Sequence, residues 1–156
     1  MKTAKLLVMA VVVLILCAGL AQAKPNFTGD WKANVAKSDY GQMPTPDKFD
    51  MKIVHNDPEL KVATTIAGEF GEFTLDFAYT TDGKECANTS PMGQSKSVLS
   101  WDGDVLVIES KISGDNGEMT MSDRWSLSED GKTLTMKRHF TGGFGEGEQT
   151  MVMDKQ

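Results

Sequence analysis

Arginine is nearly absent: the 156 residues contain two, Arg124 and Arg138. Together, 16 Lys and Arg face 22 Asp and Glu, for a formal net charge of −6. That balance excludes a cationic grip on nucleic-acid phosphates and on anionic membrane surfaces. Histidine is just as scarce, with only His55 and His139, so acid–base or metal chemistry has little to draw on. There are two cysteines, Cys17 and Cys86. No stretch after residue 24 keeps a helical hydrophobic period, and long apolar runs are confined to the N-terminus. What remains is 40% hydrophobic and 24% charged, too apolar for a disordered chain and long enough for one core in one domain.

The N-terminus reads as an export signal over residues 1–23. Lys2 and Lys5 make a positive start, Leu6 to Leu20 form an apolar run, and Ala21-Gln22-Ala23 fits a small-x-small cleavage site. The run is shorter than the ~20 residues of a bilayer span. A retained anchor is disfavoured by the polar chain with Pro25 that follows, and a lipoprotein signal at Cys17 by Leu16 before it. Cleavage leaves residues 24–156 and sends the protein to the periplasm or medium. The leader carries two lysines and no acid, so the net charge falls from −6 to −8. Cys86 is then the remaining cysteine, so the chain must be held by its core and not by an internal disulfide. It reads as a small, mostly buried apolar residue, with an intermolecular disulfide as the alternative.

The mature chain reads as strands. Leu60, Val62, Thr64 and Ile66 alternate with polar or small residues, and so do Phe73, Leu75, Phe77 and Tyr79. Met119, Met121, Asp123, Trp125 and Leu127 form a third such series, and Leu134, Met136, Arg138 and Phe140 a fourth. One apolar and one wet face per strand is the pattern of an antiparallel sheet over a core. Asp82-Gly83, Asp102-Gly103, Asn116-Gly117 and Asp130-Gly131 separate the runs with residues suited to tight hairpins. The spacing predicts about ten short strands, in a range of 8–10 for the closed form. Sequential hairpins point to a single up-and-down antiparallel β-barrel, since closure removes exposed edges. An open β-sandwich is the alternative.

Phe27-Thr28-Gly29-Asp30-Trp31 resembles the first-strand motif of the lipocalin and fatty-acid-binding-protein group, the calycins. In that group the residues matching Gly29 and Trp31 pack closely at one end of the barrel. With Lys37-Ser38-Asp39-Tyr40-Gly41, the chain also resembles small secreted lipocalin-like proteins of bacteria. The resemblance implies a lipocalin-like barrel and a small hydrophobic ligand inside it. Two departures stand out. Gly41, Pro44 and Pro46 leave no room for the two-helix lid of fatty-acid-binding proteins between the first two strands. The C-terminus, Glu148 to Gln156, reads as a strand in place of the lipocalin helix.

The candidate binding residues follow from strand parity. Arg138 shares the inward face with Leu134, Met136 and Phe140, whereas Arg124 faces solvent. An inward guanidinium stays charged and needs a partner. That partner is either Asp123, inward on the preceding strand, or the acid head of a ligand, as the resemblance to internal arginines of fatty-acid-binding proteins implies. Phe73, Phe77, Tyr79, Met119, Met121, Trp125 and Met136 would line a cavity or fill the core; soft methionines suit either. His139 reads as solvent-facing and His55 as a solvated strand end, giving no nucleophile–base pair. His55-x-Asp57-x-Glu59 is at most a weak metal candidate. Gly142 to Gly147 reads as a flexible hairpin loop. No catalytic residue, metal site or cofactor is called for. The expectation is an exported binding protein for a small hydrophobic molecule; the alternative is a filled barrel acting through its surface.

Overall fold

A computed structural model describes residues 23–156, apart from 70, 116 and 144. The leader read over 1–23 therefore lies outside the described residues but for Ala23, as do the Asn116 turn position and residue 144 of the Gly142–Gly147 segment. Ten strands follow one another: β1 Gly29–Ala33, β2 Lys48–Asn56, β3 Glu59–Gly68, β4 Gly71–Thr80, β5 Glu85–Ser90, β6 Gly93–Asp102, β7 Val105–Gly114, β8 Gly117–Leu127, β9 Thr133–Gly142 and β10 Gly145–Lys155. They form one antiparallel sheet in the order β4-β3-β2-β1-β10-β9-β8-β7-β6-β5. This is the expected up-and-down barrel, nearly closed, and the open sandwich does not occur. Among the described residues there is no α-helix; a single 3-10 turn, Val35–Lys37, stands where a lid would.

The first and last strands of that order, β4 and β5, meet across a seam without a backbone ladder. Side chains bridge it. The Asn88 amide accepts from the Ala78 N–H at 2.8 Å and donates to its carbonyl at 3.1 Å. The Thr80 N–H points at the Cys86 sulfur at 3.2 Å. Cys86 is thus half-buried in the seam as a free thiol.

The two ends of the barrel differ. Asp-Gly pairs close β4–β5, β6–β7 and β8–β9 at one end, where the N-terminal strap Lys24–Thr28 also crosses. Here Phe27, Trp31, Leu60, Leu99, Leu106, Leu134 and Met153 are all 0–1% exposed. Each large apolar side chain so buried contributes roughly 2–3 kcal/mol of transfer free energy. The Gly-x-Trp motif explains its own residues. Trp31 donates its ring N–H to the Phe27 carbonyl at 3.0 Å, and the Lys155 ammonium lies 5.3 Å from its ring centre. At Gly29 the backbone has φ +154°, which L side chains rarely adopt, so glycine suits the position; a Cβ there would also displace the flexible end of Lys155.

Lys37 to Gly41 is equally legible. The Ser38 hydroxyl donates to the Asn34 carbonyl at 2.8 Å and accepts from the Val152 N–H at 2.9 Å. Asp39 and Thr150 exchange backbone hydrogen bonds at 2.7 and 2.8 Å. Gly41 has φ +60°, and a Cβ there would lie 2.5 Å from the Glu148 carbonyl oxygen. The segment is pinned along β10 and drives Tyr40 into the core, where it is buried.

One local expectation is refined and another corrected. Gly142 to Gly147 is a hairpin, as expected, but a tighter one, with strand reaching into the segment from both sides. Gly142 ends β9, Gly145 starts β10, and Gly147 sits inside β10 opposite Phe140. A Cβ at Gly147 would come within 2.7 Å of the Phe140 ring, so the glycine makes room for it. His55 is not solvated but 2% exposed. It continues the inward series Met51, Ile53, and the strap covers it.

Candidate functional site

The interior is divided. Toward the Asp-Gly end most apolar side chains are fully buried, with Trp101 and Leu127 half-buried against them. Toward the other end, where β1–β2, β3–β4, β5–β6, β7–β8 and β9–β10 connect, inward-phased Ile66, Phe73, Met119, Met121 and Phe140 are only partly covered. Phe73 is 41% exposed. A hollow of about 600 Å³ lies at this end, between the β5–β6 and β7–β8 hairpins, with Met92, Gln94, Ile112, Ser113 and Met119 in its wall. Ile112 and Met119 lie on the inward faces of β7 and β8, so the hollow borders the mouth end of the barrel. A second, shallow hollow of about 310 Å³ lies on the outer face, around Val54, Lys61, Ala63 and Ala78.

The expected residues fall into two groups. Phe73, Phe77, Met119 and Met121 belong to the partly covered half, and Phe77 stacks on Tyr79 with ring centres 5.8 Å apart. Trp125 and Met136 belong to the packed half, 5% and 2% exposed. Ile66, Ile112 and Phe140 had not been singled out, although their parity placed them on the same face.

Between the halves lies a polar belt. Cross-strand register sets Asp123 of β8 directly opposite Arg138 of β9. Arg138 donates from Nε to Asp123 Oδ1 at 2.7 Å and from Nη2 to Oδ2 at 3.0 Å. The pair is bidentate, with side-chain exposures of 27% for Arg138 and 8% for Asp123. Burial alone would lower the Arg138 pKa, but the charge and hydrogen bonds of Asp123 and the nearby Tyr79 carry it above its ordinary value. Tyr79 is raised well above the usual phenol range, mainly by burial and then by the Asp123 charge, against an opposing pull from Arg138. It stays a neutral hydrogen-bonding group. Ser97 and Ser110 share a hydrogen bond at 2.8 Å across β6 and β7. The Tyr40 hydroxyl and the Trp125 ring N–H are buried with no hydrogen-bond partner among the described residues. Arg124, as expected, faces out and pairs with Asp102 at 2.6 Å.

At the packed end His55 takes the Phe27 N–H on Nδ1 at 3.3 Å, which puts its own proton on Nε2, 3.8 Å from Asp57. Burial lowers its pKa, with Asp57 opposing. Its ring stacks on Phe27 and Trp101 at 5.8 and 6.2 Å between centres. His55 is therefore part of the plug. His139 is exposed, with Glu146 and Glu148 at 3.8 and 3.9 Å on opposite ring nitrogens. Among the described residues no three His, Cys, Asp or Glu side chains are grouped to hold a metal ion.

No protein-family model matches the chain, and no curated protein resembles it in sequence. Solved structures do resemble it in fold. Secretory abundant heat soluble protein 4 from Ramazzottius varieornatus superposes with a TM-score of 0.61 at 16% identity, over 87% of this chain and 99% of that one. Zebrafish ileal bile acid-binding protein, in complex with cholic acid, gives 0.59 at 17% identity over 83% and 98%. Human cRBP IV gives 0.55 at 15% over 85% and 99%. On strand number, topology and these likenesses, the chain has a lipocalin- and fatty-acid-binding-protein-like barrel fold.

Proposed function

We propose that this protein is an exported carrier that binds a small hydrophobic molecule in the partly covered half of its barrel. One observation carries the reading. Ile66, Phe73, Met119, Met121 and Phe140 point inward yet keep solvent exposure, while at the other end most inward apolar residues, Leu60, Leu99, Leu106 and Leu134 among them, are sealed. Apolar surface left wet on the concave side of a rigid barrel is where an apolar guest gains most. The cholic acid held by the zebrafish barrel supports the general mode. Soft methionine walls suit a guest of irregular shape. The leader-like sequence at 1–23 supports export. An acid head group on Arg138, the narrower expectation from sequence, is the less favoured form of this reading. It requires the guest to compete with Asp123 for the guanidinium.

The test is titration of the mature chain with the neutral probe N-phenyl-1-naphthylamine. The expected result is saturable fluorescence enhancement, weakened about tenfold or more by Met121→Asp, which sets a charge among the inward apolar residues. Unchanged probe binding in that variant, or none in the parent, would contradict it.

A further inference from the structure

We infer that the guest of this barrel carries no charge: its polar group is a hydroxyl, carbonyl or amide, and not a carboxylate. The inference rests on the binding reading above and narrows it to a ligand class. By strand phase, the charged side chains inside the middle and mouth of the barrel, among the described residues, are Asp123 and Arg138 alone. They cancel each other through two short hydrogen bonds. The other interior polar groups at this level, Thr64, Tyr79, Asn88, Ser95, Ser97 and Gln149 among them, are neutral.

A carboxylate entering this space has two options. It can displace Asp123 from Arg138, which strands a carboxylate whose side chain is 8% exposed. Or it can add an uncompensated negative charge beside a balanced pair, inside a chain already at −8 without its leader. Both leave a desolvated anion without a counter-charge, the costlier outcome for a buried charge. An uncharged polar group meets neither penalty. The two bonds to Asp123 engage Nε and Nη2, so the Nη1 edge of Arg138 remains as a donor of an overall neutral pair. A hydroxyl or carbonyl oxygen can accept there without disturbing the pair.

The experiment is competition against N-phenyl-1-naphthylamine by three guests of one chain length, below their aggregation limits, at pH 7.5: 1-dodecanol, dodecanamide and dodecanoate. The mature parent chain is expected to bind the alcohol and the amide at least about tenfold more tightly than the acid. Asp123→Asn, which keeps the shape and uncovers the Arg138 cation, is expected to reverse the order in favour of dodecanoate. Asp123→Asn combined with Arg138→Gln removes both charges and should keep the parent's order. Dodecanoate binding as tightly as the alcohol to the parent would overturn the inference while leaving the binding function intact. So would an Asp123→Asn variant that binds the probe yet keeps the parent's order. If neither probe nor any guest binds the parent, the binding function itself fails and the inference with it.

Discussion

Arg138 shows how far one residue can be read from sequence and what its surroundings add. Its phase on β9 makes it inward, its permanent charge demands a partner, and the register of one hairpin supplies Asp123. Removing one member of such a pair costs more than removing both, because the survivor is left buried and unpaired. Arg138→Ala should destabilise the fold by about 3 kcal/mol in urea unfolding, whereas Arg138→Ala with Asp123→Ala should recover a substantial part of that loss. A single and a double variant of equal stability would contradict the coupling. His55 carries a pH dependence of definite sign. Burial holds its folded pKa below the ordinary 6.5, so the unfolded chain takes up the proton first as pH falls. Its linkage penalty is absent above pH 6.5 and grows as pH drops from 6.5 toward the lowered folded value. The melting temperature should fall between pH 7.5 and 5.5, and fall less in His55→Gln, whose amide oxygen can still take the Phe27 N–H. Parallel losses in both chains would contradict a role for His55. The sequence misplaced this residue for a physical reason. The strap that covers it, Lys24–Thr28, is not a strand and leaves no periodic trace.

At the scale of elements, most strands were legible because hairpins keep sequence neighbours paired, so parity and Asp-Gly turns suffice. The seam was not, because β4 and β5 are joined by a short turn yet lack a ladder. Asn88 stands in for the missing strand partner by binding both backbone groups of Ala78. Asn88→Ala should cost about 1 kcal/mol and speed amide hydrogen exchange at Ala78 while leaving β7–β8 unchanged. Exchange at Ala78 unaltered by the substitution would show that the side-chain bridge carries nothing. The Lys37–Gly41 segment teaches a related lesson. Its resemblance to a known pattern was visible, but its job, pinning the β1–β2 connection along β10 and burying Tyr40, depends on the Asp39–Thr150 contact, 111 residues apart in the chain.

For the whole molecule, the same alternation runs the length of every strand, so sequence alone could not say where the barrel is filled. Trp125 and Met136, which could line a cavity or fill the core, lie in the packed half; Phe140 and Ile66, on the same inward faces, lie near the mouth. What separates them is height along the barrel, set by which end the N-terminal strap seals. The resulting body is half plug and half cup, with a neutral polar belt between. Its central claim is that the cup holds an apolar guest. Native mass spectrometry of the mature chain, purified without detergent from its own host, tests this most directly. The account predicts a species heavier than the denatured chain that loses the excess on gentle activation, and a bare chain that takes up N-phenyl-1-naphthylamine one to one. A bare mass that stays bare when the probe is added would contradict it.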